Sequence, residues 1–210
     1  MTSKEQGQIA VYKTAIVEYK DIHKLAPDTW LNDEIINFYM QLIADRADAN
    51  VGRLPSVHCY STFFCSTLRD SGYAKVRRWT KRVDVFAKDL LFIPINYSYH
   101  WTLGVVDVQA KTIRVYDSLG GSHGLTLQLL LQYLKDEHKD KKGTEGDFTG
   151  WTLDAPKGIP HQENMSDCGV FTCTFAERLA QRQRFDFAQK DMVNIRKRMV
   201  LSIVNKAINT

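Results

Sequence analysis

Between Leu90 and Leu119 the chain reads LLFIPINYSYHWTLGVVDVQAKTIRVYDSL: three runs rich in β-branched and aromatic residues, parted by short polar joints. Such runs favour pleated backbone, and their closeness in sequence predicts neighbouring strands joined by tight turns. If Gln109 and Ala110 close a turn, the second and third strands pair with residue numbers summing to about 219. Asp117 then lies opposite Thr102, two residues from His100, at one end of the hairpin. Asp107 falls beside the turn at the other end. Alternation sets Asp117 on the face of Ile113 and Val115, so its carboxylate emerges at the edge of a buried surface.

Helical periodicity brackets these strands. TWLNDEIINFYMQLIADRADAN repeats apolar residues at Ile35, Ile36, Tyr39, Leu42 and Ile43, which predicts a helix from Asp33 to about Ala47, with Asn32 or Asp33 to cap it. SVHCYSTFFCSTLRDSG predicts a second helix, ending near Gly72. LTLQLLLQYLKDEHK, CGVFTCTFAERLAQ and KDMVNIRKRMVLSIVNKAI predict three more. Helices flanking a central group of strands imply an α+β fold. Without an internal repeat or long linker, residues 1–210 read as one domain, and residues 1–8 as a frayed end.

A chain of 210 residues that is 44% hydrophobic buries a substantial core. The apolar run DLLFIPINY is far too short to span a membrane, and the N-terminus lacks a secretory pattern. The sequence reads as soluble and intracellular, or as the folded part of a longer protein. The net charge of +4 is dispersed except in KVRRWTKR, Lys75 to Arg82, which reads as a solvated face or a contact for an acidic protein rather than a nucleic-acid site. KDEHKDKKGTEGD, Lys135 to Asp147, reads as a helix end running into an exposed loop. The four cysteines lack C-x-x-C spacing, so no metal is expected, and free thiols suit a reducing compartment. No cofactor is implied.

Cys168 lies where the polar segment ENMSD gives way to an amphipathic helix that Ser166 or Asp167 can cap. Unpaired N–H groups and partial positive charge at a helix N-terminus favour thiolate over thiol, as a nucleophile requires. A thiol nucleophile needs a base, and the base needs a partner to orient it. His100 and Asp117 supply that pair, with His161 as a rival base. Gln162, six residues before Cys168, offers an amide N–H to the oxygen on which negative charge develops, beside the backbone N–H of Cys168. His23, His58, His123 and His138 read as surface or packing residues, and Cys59, Cys65 and Cys173 as core. Trp30 by itself reads as a core aromatic.

HW, YDS and Q-x-N-x-x-D-C-G, in that order after WLNDEIINFYM, resemble the ubiquitin-like-protein proteases that process and remove SUMO, over roughly residues 20 to 205. The resemblance implies a papain-like architecture, with His100 as base, Asp117 as orienting acid, Cys168 as nucleophile and Gln162 in the oxyanion hole. It implies that Trp30 and Trp101 roof a tunnel for the C-terminal Gly-Gly of SUMO, and that Asp33 pairs with a basic side chain of SUMO. Only glycine threads an extended backbone between two indoles without a Cβ clash. The implied partners are SUMO and SUMO-conjugated proteins, met by a monomer in the nucleus or at the nuclear envelope. Met165, where close relatives have glycine, and Thr102, where serine is common, depart from the pattern. Proteolysis of NEDD8 or ubiquitin, acyl transfer to another acceptor, and recognition of a modifier without cleavage are the alternative functions.

Overall fold

The computed structural model describes residues 7–13 and 15–208. β1 (Gln8–Tyr12) and β2 (Ala15–Glu18) form an antiparallel ribbon, in which Gln8 already pairs with Glu18. Of the segment expected to fray, residues 1–6 lie outside the described residues. A single helical turn, α1 (Tyr19–Ile22), leads to α2 (Asp33–Ala49). The side chain of Asn32 caps α2 by accepting the N–H of Ile35 at 3.2 Å, as the sequence predicts.

The segment read as one helix from Ser56 to Gly72 divides in two. Its first part is a strand, β3 (Val57–Cys59), and only Phe64–Ser71 is helical (α3). The reason is tertiary: β3 pairs in parallel with the start of β4 (Leu90–Tyr97) and completes a ladder that local periodicity does not reveal. A short turn, α4 (Tyr73–Val76), follows α3. Lys75 within it and Arg77, Arg78, Lys81 and Arg82 beyond it are all exposed.

β4, β5 (His100–Asp107) and β6 (Thr112–Tyr116) form the antiparallel centre of a five-stranded mixed sheet, which β7 (Thr152–Asp154) completes in the order β3-β4-β5-β6-β7. β5 and β6 pair Leu103 with Tyr116 and Asp107 with Thr112, the register expected. Asp107 sits at the turn, accepting the N–H of Ala110 at 3.0 Å. Alternate residues of β4 enter opposite cores: Leu90 and Phe92 join one, Leu91, Ile93 and Ile95 the other. A strand buried on both faces reads as a continuous apolar run, as LLFIPI does. Pro94 lies past the end of β3, where its missing N–H leaves no ladder bond unmade.

α5 (Gly124–Lys142) crosses from β6 to β7, which runs parallel to β6. It ends at Gly143, whose φ of 73° suits a residue without Cβ. Its charged end is less exposed than its composition suggests. Glu137 is fully buried and accepts the hydroxyls of Tyr73 and Thr80. α6 (Cys168–Leu179) and α7 (Met192–Asn205) join α2 over one face of the sheet, around Leu103, Phe171, Phe175 and Met199. α3 and α5 cover the other, around Phe64, Ile113, Val115 and Leu130. None of the described helices is long and apolar enough to cross a membrane.

Candidate active site

Three features of the fold converge at one end of the sheet. The turn between β4 and β5 uses only Ser98 and Tyr99, with φ of 50° and 64°, so His100 opens β5 immediately after a two-residue hairpin connection. Asp117 is one residue beyond β6, and Cys168 is the first residue of α6.

His100 Nε2 donates to Asp117 Oδ1 at 2.6 Å. Asp117 is buried, and its carboxylate also accepts the backbone N–H groups of Leu119 and Gly121, each at 2.8 Å. Burial alone would raise its pKa, but these donors and the nearby imidazoles win and hold it well below the usual carboxylate range. Gly121 is required by this cradle, because a Cβ there would stand 2.8 Å from Asp117 Oδ2. His100 is driven the other way. Its hydrogen bond to Asp117, and after it the neighbouring Cys168 thiol, raise its pKa to about 9, against the opposing effect of burial.

The sign of these shifts sets a dependence of stability on pH. Because the folded state raises the proton affinity of His100 above the free-imidazole value of about 6.5, its contribution is complete below that pH. It is lost as pH climbs through about 9. The Asp117 contribution is present above the ordinary carboxylate range and is lost only in strong acid. The stability advantage of the wild type over His100→Gln is therefore expected to shrink between pH 7 and pH 10 in guanidinium titrations. A pH-independent difference would contradict the His100 assignment.

Cys168 is buried, and its backbone N–H lies ahead of the hydrogen-bond ladder of α6, which starts with Phe171 N–H donating to Asp167 O at 2.9 Å. The side-chain cap expected from Ser166 or Asp167 is absent. The Asp167 carboxylate instead accepts from Arg196 at 2.6 Å and 2.8 Å, from Asn164 and from Gln189. A buried guanidinium that places two N–H groups on Asp167 Oδ1 outcompetes a local amide cap. Gly169 admits Leu31 against the start of α6, where a Cβ would stand 2.9 Å from the Cβ of Leu31.

Gln162 is buried beside this helix start and fixed at both ends of its amide. Oε1 accepts the Ser118 hydroxyl and Nε2 donates to Asn164 O, each at 2.6 Å. One N–H of the amide remains for another acceptor. Trp30 is not a core residue: it is 49% exposed, and its indole N–H donates to Met165 O at 2.7 Å. The contact uses the Met165 backbone, while the Met165 side chain projects outward. Tyr99 stacks on Trp30 with ring centres 6.1 Å apart. Trp101 is buried and donates to Leu31 O at 3.1 Å. Trp30, Asp33, Tyr99 and Trp101 line a cleft of about 380 Å³, where the Asp33 carboxylate has no ion-pair partner among the described residues.

His161 is turned to the backbone, with Nδ1 3.2 Å from Ser118 O and Nε2 3.3 Å from Lys157 O, so neither nitrogen is directed to Asp117. His123 is the residue that sequence reasoning assigned wrongly. Its Nε2 lies 2.9 Å from Asp117 Oδ2, so it shares the acid with His100. No motif surrounds it, because only the turn before α5 folds it back onto Asp117. Ser118 and Arg196 were also missed; the serine inside YDS was visible, but its partner lies 44 residues away.

Comparison with known proteins gives a consistent picture. The family model of the Ulp1 protease family, C-terminal catalytic domain, matches residues 29–208. A sentrin-specific protease of Caenorhabditis elegans is 45% identical over 189 residues, which are 90% of this chain and 27% of that protein. Sentrin-specific protease 2 of Mus musculus is 40% identical over 190 residues, 90% of this chain and 32% of that protein. The chain thus spans between a quarter and a third of the length of these relatives. The X-ray structure of the C-terminal Ulp1 protease domain in complex with Smt3, the yeast ortholog of SUMO, matches with a TM-score of 0.85 and 31% identity, covering 99% of this chain and 91% of that one.

Proposed function

The chain belongs to the Ulp1 protease family, and from that premise we propose that it is a catalytic domain that cleaves after the C-terminal Gly-Gly of SUMO. It matures the precursor, removes SUMO from lysine isopeptide bonds, or does both. The observation that carries this reading is the 2.6 Å His100–Asp117 pair beside a thiol that heads a helix.

In this reading Asp117 engages Nε2 of His100 and leaves Nδ1 to face the thiol. With its raised proton affinity His100 stands as an imidazolium at neutral pH, paired with Cys168, whose Sγ attacks the glycine carbonyl carbon as the thiolate. The imidazolium then gives its proton to the departing amine. The carbon–nitrogen bond breaks and a thioester remains. Water, deprotonated by His100, hydrolyses it, releasing the modifier carboxylate and restoring the thiol. The Cys168 N–H and the free N–H of Gln162 meet the oxyanion in both tetrahedral intermediates. Replacing Gln162 with alanine is expected to lower kcat on the order of 10²-fold with little change in KM. A KM effect alone would return Gln162 to a purely structural role.

Trp30 and Trp101 would confine the Gly-Gly tail in the cleft, and Asp33 would receive a basic side chain of the modifier. The site of action in this reading is the nucleus or the nuclear envelope, which imaging of the full-length protein tests.

The decisive experiment is intact-protein mass spectrometry after incubation with C-terminal vinyl-sulfone forms of SUMO, NEDD8 and ubiquitin, with His100→Ala and His161→Ala variants alongside. A SUMO adduct on Cys168 that needs His100 and not His161 is the expected result. Labelling by NEDD8 or ubiquitin alone would reassign the modifier, and no adduct with any of the three would turn the reading toward recognition without cleavage.

A further inference from the structure

We propose that His123 is a positioning residue of the active site, one that holds Asp117 in the orientation His100 needs. The inference rests on the catalytic reading above. Asp117 carries two oxygens with two acceptor sites each, and the structure fills them symmetrically. Oδ1 accepts from His100 at 2.6 Å and from Leu119 N at 2.8 Å; Oδ2 accepts from Gly121 N at 2.8 Å and from His123 at 2.9 Å. Two imidazoles therefore grip opposite edges of one buried carboxylate.

The geometry assigns them different work. A carboxylate bonded only through Oδ1 remains free to pivot about its Cβ–Cγ bond, and each pivot swings the axis along which His100 is held. A donor on Oδ2 opposes that pivot. The N–H of Gly121 is a local brace, since it comes from the same turn four residues after Asp117. His123 comes from a different anchorage: it is the residue immediately before α5, a 19-residue helix packed on the sheet through Leu127 and Leu130. Asp117 is thereby tied to the body of the fold.

For this bond His123 must carry a proton on Nε2, since an ionised carboxylate only accepts. The other charged groups here face elsewhere. Lys157 donates to the carbonyls of Gly120 and Gly121, at 2.7 Å and 3.1 Å. His161 lies against Gly120, its Cε1 3.3 Å from where a Cβ would be, and the first turn of α5 has no acidic residue. His100 shares Asp117 with His123. Asp117 is thus the only carboxylate bonded to His123 among the described residues.

The test compares three substitutions. The amide nitrogen of glutamine reaches the place of Nε2, that of asparagine only the place of Nδ1, and leucine fills the volume without a donor. His123→Leu and His123→Asn are expected to lower kcat about 10-fold at unchanged KM, and His123→Gln to recover most of the loss, the size usual for partners that orient a reacting group. The pH profile of kcat in the leucine variant should also shift from that of the wild type, which simple packing would not cause. In the ¹⁵N spectrum of the wild type, His123 should appear with its proton on Nε2, and the downfield proton of the His100–Asp117 bond should weaken in the leucine variant. A folded His123→Leu protein with wild-type kcat, pH profile and downfield proton would overturn the proposal, as would a wild-type His123 protonated on Nδ1 alone. The spectra read the Asp117 cradle without turnover, so they remain decisive even if a Cys168→Ala control cleaves substrate and the catalytic reading fails.

Discussion

Replacing Cys168 with alanine is expected to abolish cleavage of a modifier precursor, with a loss in kcat on the order of 10⁶-fold, the size seen when a protease loses its nucleophile. No other thiol of the chain is fit to take over. Burial pushes the Cys65 thiol up to about 11 and the Cys59 and Cys173 thiols higher still, so all three stay protonated at neutral pH. Cys168 alone heads a helix beside an imidazole hydrogen-bonded to a carboxylate. Release of free modifier is measured by gel shift or by a C-terminal fluorophore, and binding by calorimetry. The alanine variant should still bind the modifier, because the cleft formed by Trp30, Asp33 and Trp101 is untouched. Residual cleavage within about tenfold of the wild type would place the nucleophile elsewhere.

Arg196 is expected to produce the largest loss of stability. Its guanidinium is 2% exposed and binds Asp167 through Nε and Nη2. Nη1 donates to the carbonyls of Lys24 and Ala26, and Nη2 to those of Thr29 and Ser166. One side chain from α7 therefore ties the segment before Trp30 to the segment before Cys168. Arg196→Met leaves the Asp167 carboxylate buried without its cation, a loss of about 3–5 kcal/mol. Urea titration measures it. Arg196→Lys should recover only part, since a compact ammonium cannot reach Asp167 Oδ1 and four carbonyls together. If Arg196→Met came within about 1 kcal/mol of wild type, the contribution of a surface pair, the clamp would be dismissed.

Much of this fold is legible in the sequence. The β5–β6 register followed from a turn at Gln109 and Ala110, because side-chain alternation and strand pairing allow few alternatives once the turn is placed. The bounds of α2, its Asn32 cap and the placement of Cys168 at a helix start followed from periodicity and local chemistry. β3 did not. Val57–Cys59 extends because Leu90–Phe92 offers a ladder to it, and nothing within three residues signals a partner 33 positions away.

The same division runs through the site. Sequence by itself determined where the candidate groups stand along the chain: His100 opening a strand, Asp117 just past the next, Gln162 and Cys168 around a helix start. These are consequences of short-range geometry, in which a two-residue turn or one helical turn leaves little freedom. Tertiary structure decided how each group is held. Asp167 became the partner of Arg196 rather than a cap, Trp30 became a cleft wall rather than core, and His123 became a second donor to Asp117. Each outcome depends on groups brought together by packing, where a buried charge must find its partner wherever the fold supplies one.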